Sequence, residues 1–294
     1  MNFQHYPVMH KQIIEIFRGT SCQWFIDCTL GMGGHTAMIL QEFPQSRVIG
    51  IDTDAESLEK ARLNLESFSQ RVEFLHLNYS QLFDSIDFNS RQISGIIIDP
   101  GISTYQLKEG ERGFSHSIDA PLDMRKNRET GISAADIIHT YTEKELVRIF
   151  EAYAEIPKAP QLAKRIIEAR LFQPVDTTLK LARIIEKLYN WHPKKGKTHP
   201  AANVFQALRI EVNKELEGME VFFNLIPKYI KANTRIACLS FHSIEDRLVK
   251  QRFTNWQKEG RMNIIKPFPA LPSQEEVEEN LASRSAKLRA GEWL

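Results

Sequence analysis

The chain has 294 residues, 42% of them hydrophobic and 26% charged, which is enough apolar material for real cores in one large domain or two modest ones. No stretch approaches the ~18 consecutive apolar residues of a membrane helix, and Met1–His5 has neither the basic nor the apolar region of a secretion signal. Three cysteines without C-x-x-C spacing exclude a disulfide framework and suit a reducing cytoplasm, while a net charge of +1 and a pI near 7.8 leave any nucleic-acid contact to local clusters of charge.

The first hundred residues alternate apolar runs with helical periods. Trp24-Phe25-Ile26 ends at Asp27, Arg47-Val48-Ile49-Gly50-Ile51 ends at Asp52, Val72-Glu73-Phe74-Leu75 precedes His76, and Ile96-Ile97-Ile98 ends at Asp99. Helical stretches are expected over 36–43 and 54–68, the latter with Leu58, Ala61, Leu63 and Leu65. Near-continuous apolar strands separated by helices imply a parallel sheet covered on both faces, an α/β fold. From about Tyr105 to Pro200 only helices are expected: Ser133 starts one, Thr142-Glu143-Lys144-Glu145 forms a capping box, Thr177 or Thr178 opens another, and Pro200 suits the first turn of a fourth. The strand signal returns at Arg235–Ser240. The economical organisation is a sheet domain over 1–104 and 207–294, interrupted by an inserted all-helical domain over 105–206. Pro227 is expected to kink or interrupt a helix over 219–231. Residues 267–272 read as an exposed linker, followed by an acidic helix start at Gln274–Glu279.

Ligands of open α/β sheets bind beyond the carboxyl ends of the strands. The run Asp27-Cys28-Thr29-Leu30-Gly31-Met32-Gly33-Gly34-His35 follows the first strand there, and glycines let backbone approach a ligand closely. Asp52 ends the second strand, where a carboxylate can accept both hydroxyls of an adenosine ribose. A dinucleotide turn has the spacing G-x-G-x-x-G, whereas here it is G-x-G-G with Thr36 in the third glycine's place. S-adenosylmethionine, which has no phosphate, needs only the close approach and the ribose acid. A nicotinamide cofactor and a ligand-free turn remain open on this motif alone.

The fourth strand ends in Asp99-Pro100-Gly101-Ile102-Ser103. The lone pair of an exocyclic base amine is delocalised into the ring. A carboxylate and a backbone carbonyl that accept its two N–H groups can turn that lone pair toward a methyl donor. Asp99 and Pro100 are therefore candidate catalytic positions, with a helix cap or plain turn as the bland alternative for Asp99. Methylation at C5 of a pyrimidine would need a cysteine nucleophile. No cysteine follows the fourth strand, so that route is disfavoured. His242 follows the fifth strand toward the same cleft, but Ser243-Ile244-Glu245-Asp246 also reads as a helix start. The histidines lack metal-ligand spacing, so no metal is expected. Trp191–His199 is the densest basic and aromatic stretch, offering Lys194, Lys195, Lys197 and His199 to RNA or merely linking two helices. Arg112, Arg125 and Arg128 add charge after Asp99.

Taken together, these residues resemble the ribosomal RNA small subunit methyltransferase H (MraW) family nearly end to end. The likeness is carried by His5-Tyr6-Pro7-Val8, the Asp27–His35 run, Gly50-Ile51-Asp52, Glu111–Ser115, Pro121–Arg125, His199-Pro200-Ala201, Phe205–Arg209, Ser240–Arg247 and Arg284–Arg289. The resemblance implies a Rossmann-like class I S-adenosylmethionine methyltransferase sheet with a helical insertion. It also implies transfer to N4 of a cytidine in the decoding region of 16S rRNA, within or outside the assembled small subunit. By matching motif, the family's cofactor residues fall on Gly33, Gly34, His35, Asp52, Tyr79, Asp99 and Gln106. Arg209, in its family block, joins the RNA-facing candidates. Some positions depart from the pattern: Pro100 replaces a usual Leu, Ala154–Pro160 replaces an arginine-bearing run, Ala202-Asn203 replaces Thr-Arg, and Ala232-Asn233-Thr234 replaces Pro-Gly-Gly. An RNA-binding assembly factor that has lost turnover is the competing reading, and the intact Asp52, Asp99 and Gln106 argue against it.

Overall fold

The computed structural model describes residues 7–103, 106–107, 110–193 and 198–294. The chain forms two compact units, one from Met1–Gly101 with Leu216–Leu294 and the other from Ile102–Glu215.

The first unit is built on a seven-stranded sheet with the order β3-β2-β1-β4-β5-β7-β6. Its strands are β1 (Trp24–Asp27), β2 (Arg47–Asp52), β3 (Val72–His76), β4 (Ile93–Ile98), β5 (Arg235–Ser240), β6 (Met262–Ala270) and β7 (Lys287–Trp293). β1 to β5 run parallel, and β7 lies antiparallel between β5 and β6. This is the Rossmann-like α/β sheet expected from the sequence. β4 has all six residues buried and β2 buries Val48–Ile51, because apolar clusters cover both faces. One cluster packs Met219, Phe222, Phe223 and Ile226 of helix Glu215–Tyr229 on the sheet, and the other packs Ile13, Phe17, Ile39 and Leu40. The chain runs outward from β1 to β3 and returns to β4 on the other side of β1. The order therefore reverses between β1 and β4, where a crevice opens at the strands' carboxyl ends.

The second unit comprises the helices Ala134–Thr140, Glu143–Ala154, Ala159–Phe172, Thr178–Tyr189 and Ala201–Asn213, packed around Ile137, Leu146, Phe150, Leu162, Ile166, Leu181 and Leu208. Ser133 and Thr142 both form complete capping boxes, with Asp136 and Glu145, and the Thr177 hydroxyl accepts the Lys180 N–H. Among the described residues its one extended pairing outside strands is the bridge Pro121–Thr177. The unit closes at Glu215 rather than near residue 206, because Val204, Phe205, Ala207 and Leu208 of helix Ala201–Asn213 complete its core.

Two expectations need correction. Pro227 does not interrupt its helix, which runs unbroken over Glu215–Tyr229. It falls in the last turn, and the Ile230 N–H still reaches the Ile226 carbonyl at 3.0 Å beyond it. Residues 267–270 are not linker but the end of β6. β6 lies at the sheet's edge, where Pro267 and Pro269 face no second partner strand, and its register slips between Ile265 and Ala270. The acidic helix Gln274–Glu279 follows, capped by Ser273. No helix among the described residues is long and apolar enough to cross a membrane.

Candidate active site

The turn leaving β1 is hooked to both neighbouring strands. Cys28 N–H donates to the Ile97 carbonyl at 2.9 Å and Leu30 N–H to the Ile51 carbonyl at 2.8 Å. Asp27, only 1% exposed, lies beneath it. Its carboxylate accepts the Thr36 hydroxyl at 2.8 Å and the Thr29 N–H at 3.3 Å. Burial pushes the Asp27 carboxyl above the usual range, against the opposing pull of His35 and these two bonds. The turn needs left-handed backbone at Gly31 (φ 52°) and Gly33 (φ 84°), and a Cβ at Gly33 would sit 2.7 Å from Leu65 Cδ1. Gly34 begins helix Gly34–Glu42, and His35 is buried in its first turn.

Asp52 stands at the tip of β2, directly across from this turn. Its Oδ2 accepts the Gly31 N–H at 2.8 Å and its Oδ1 accepts the Asp54 N–H at 2.9 Å. Tyr79 is half-buried after β3, its ring edge-on to Phe222 with centroids 5.6 Å apart. On the other side of β1, Asp99 follows β4, and its N–H donates to the Thr29 hydroxyl at 2.6 Å. Asp99 Oδ2 lies 3.3 Å from His35 Nε2, yet that buried nitrogen has no hydrogen-bond partner, because the contact is close but misaligned. Pro100 is buried, and Gly101 turns the chain away with φ 120°. Gly33, Gly34, His35, Asp52, Tyr79 and Asp99 thus all lie at the carboxyl ends of the strands of one unit. Gln106 belongs to the helical unit, where it is buried and its Oε1 accepts the Ser103 N–H at 2.9 Å.

His242 caps helix Ser243–Lys258, its Nδ1 accepting the Glu245 N–H at 3.3 Å. The helix-start alternative therefore describes its geometry. Its Nε2 is 2.9 Å from Oε1 of buried Glu245, again without hydrogen-bond alignment. Cys28 and Cys238 are fully buried, and burial pushes both thiols well above their ordinary range. Neither supplies the thiolate that C5 chemistry requires. Among the described residues, no group of three or more His, Cys, Asp or Glu is placed to hold a metal ion.

The profile of the MraW methylase family matches residues 2–293. The chain belongs to the MraW methylase family. Relatives named ribosomal RNA small subunit methyltransferase H include one from Thermosipho africanus, 42% identical over 293 residues that span 99% of this chain and 98% of the relative. Another, from Synechococcus elongatus, is 38% identical over 291 residues, 99% and 95% of the two chains. Among solved structures, a putative rRNA-methylase from Clostridium thermocellum overlaps loosely, with a TM-score of 0.47 and 9% identity over 99% of this chain and 100% of that one. In this MraW-family chain the sheet is that of a class I methyltransferase.

The RNA-facing candidates of this family member fare unevenly. Arg112 points inward, 2% exposed, and its Nη2 donates to the carbonyls of Arg125 (3.1 Å) and Lys126 (2.7 Å). It holds a loop together and does not present charge to solvent. Arg125 grips Asp123 with two bonds of 2.7 and 3.0 Å. Burial pushes Asp123 up, but Arg125 outweighs it and holds the carboxyl below its usual range. Arg209 grips Glu215 at 3.0 and 3.2 Å, and Lys126 lies 2.8 Å from the other Glu215 oxygen. Burial pushes Glu215 up too, but the two cations prevail and hold it at about 2. His199 is fixed by Glu186 at 3.1 Å and by the Ala201 N–H at 3.1 Å, and it stacks on His116 with centroids 4.5 Å apart. Lys194, Lys195 and Lys197 lie outside the described residues.

Sequence reasoning offered Asp27 and Thr29 only as members of the turn and gave neither a role of its own. A signal existed for the first: an acid closing a buried strand, with hydroxyl residues at Thr29 and Thr36 in the following turn.

Proposed function

We propose that this chain transfers a methyl group from S-adenosyl-L-methionine to N4 of a cytidine in the decoding region of 16S rRNA. The observation that carries the reading is Asp99-Pro100 at the end of β4, pinned by its own N–H beside the glycine turn that faces Asp52. The residues fit the cofactor. The Gly31–Gly34 backbone permits close approach, Asp52 is a fixed acceptor for a ribose diol, and buried His35 Nε2 is a polar atom awaiting a partner at the edge of the crevice. Tyr79 and Gln106 join the cofactor set by family motif.

The cofactor supplies an electrophilic methyl on a sulfonium, and its displacement needs neither metal nor redox partner. Asp99 accepts one N–H of the target amine and the carbonyl at Pro100 the other. This sets the nitrogen lone pair in line and stabilises the positive charge that develops on it. No strong base is needed, since the cationic product amine can release its proton to water. The helical unit supplies recognition of 16S rRNA, working in the cytoplasm on RNA or on the small subunit.

Incubating the purified chain with methyl-labelled cofactor and small subunits, then digesting the rRNA for mass spectrometry, should yield N4-methylcytidine at one position. Asp99→Asn should lower the single-turnover rate by ~10²–10³ at saturating cofactor and RNA, the usual cost of one preorganised electrostatic contact. RNA and cofactor binding without transfer would refute the reading in favour of an assembly factor.

A further inference from the structure

We propose that Thr29 is a positioning residue that couples the cofactor turn to the amine-orienting carboxylate of Asp99. This inference rests on the methyl-transfer reading above. The parallel ladder between β1 and β4 continues past β1 as far as the bond from Cys28 N–H to the Ile97 carbonyl. The next rung of a parallel ladder would come from the Asp99 N–H. The Thr29 side chain takes that N–H instead, at 2.6 Å. The first residue beyond β4 is therefore pinned by a side chain of the cofactor turn rather than by strand backbone.

Thr29 is itself held from below. Its N–H donates to Asp27, whose other oxygen accepts the hydroxyl of Thr36, and Thr36 lies next to His35 in the same helix turn. His35 Nε2 then approaches Asp99 Oδ2 at 3.3 Å. Asp27 bonds both Thr29 and Thr36, and Thr29 bonds Asp99, so a movement of the glycine turn becomes a movement of Asp99, while His35 Nε2 flanks the Asp99 carboxylate without a hydrogen bond to it. The hydroxyl and carboxylate bonds of this relay are directional, so they fix orientation as well as distance. In-line displacement is sensitive to this: a misplacement of about 1 Å can lower the rate by ~10²-fold. Thr29 reaches the reacting nitrogen only through Asp99.

Thr29→Val keeps the branched shape and removes the acceptor, whereas Thr29→Ser keeps the acceptor. The full-length chain is assayed for single-turnover methyl transfer at saturating cofactor and small subunits, for cofactor Kd by calorimetry, and for amide hydrogen exchange of the segment 97–103. The expected result for the valine variant is a ~10–100-fold slower transfer step, a cofactor Kd within about threefold of the parent, less than 1 kcal/mol, and faster exchange at Asp99. The serine variant should restore both rate and exchange. Native exchange at Asp99 in the valine variant would overturn the proposal, and so would an unchanged transfer rate, or a serine variant as slow as valine. If the parent chain transfers no methyl group, the reading of the activity fails, while the exchange measurement still decides whether Thr29 pins Asp99.

Discussion

Glu215→Gln is the most informative single change to the helical unit. Glu215 is 6% exposed in its side chain, with Lys126 Nζ at 2.8 Å from one oxygen and Arg209 Nη2 at 3.0 Å from the other. Its carboxyl is held at about 2 against an ordinary value of 4.5. At ~1.4 kcal/mol for each pH unit, that difference is worth on the order of 3 kcal/mol to the folded state at neutral pH. The same size follows from removing one partner of a buried ion pair, about 3–5 kcal/mol. The sign follows from the lowered value. The stabilisation is complete above the unfolded pKa near 4.5 and is lost as pH falls through that value toward about 2. Thermal unfolding of parent and variant between pH 7 and pH 3 should show a Tm deficit of about 5–10 °C at neutral pH. That deficit should shrink steadily below about pH 4.5. A deficit that stays constant down to pH 3 would refute the ion-pair account and leave lost packing as the cause.

Three further outcomes are expected. Asp52→Ala should weaken S-adenosylmethionine binding in calorimetry by ~1–3 kcal/mol, the cost of deleting a charged acceptor; it should also release the Gly31 N–H. Gly33→Ala forces a Cβ onto left-handed backbone and toward Leu65, so chemical denaturation should show a loss of at least ~1–2 kcal/mol. Changing Lys194, Lys195 and Lys197 together to Ala should flatten the salt dependence of RNA binding and spare cofactor affinity. An unchanged salt slope would assign that segment a connecting role only.

How much of this was legible depended on whether local chemistry or long-range pairing set each element. β1, β2, β4 and β5 are short buried parallel strands, and burial on two faces writes itself as unbroken apolar runs such as Ile96-Ile97-Ile98. The helical unit announced itself through caps, since Ser133, Thr142 and Thr177 act within three residues of themselves. β6 and β7 were hidden. β6 carries Pro267 and Pro269, tolerable only because the strand lies at an edge, and no residue in it reports that. Within the site, Asp52 and Asp99 could be found because an acid at a strand end has a known use. Thr29 could not, since its role depends on an N–H seventy residues away. Arginine side chains are equally silent about direction. Arg112 and Arg209 read as free charge in a one-dimensional string, yet one braces backbone carbonyls and the other a buried carboxylate.

The interruption of the sheet has a consequence for biosynthesis. β4 ends at Ile98 and its partner β5 begins at Arg235, with the whole helical unit encoded between them. At ~5–20 residues per second, a translating ribosome needs on the order of ten seconds to deliver β5 after β4. Throughout that interval Ile93–Ile98, a strand with every residue buried in the finished protein, is an uncovered sheet edge. The helical unit is contiguous in sequence and capped locally, so we expect it to fold during the wait. The nascent chain would then carry a finished helical unit and a half-built sheet, whose β4 edge stays open until β5 emerges to pair with it.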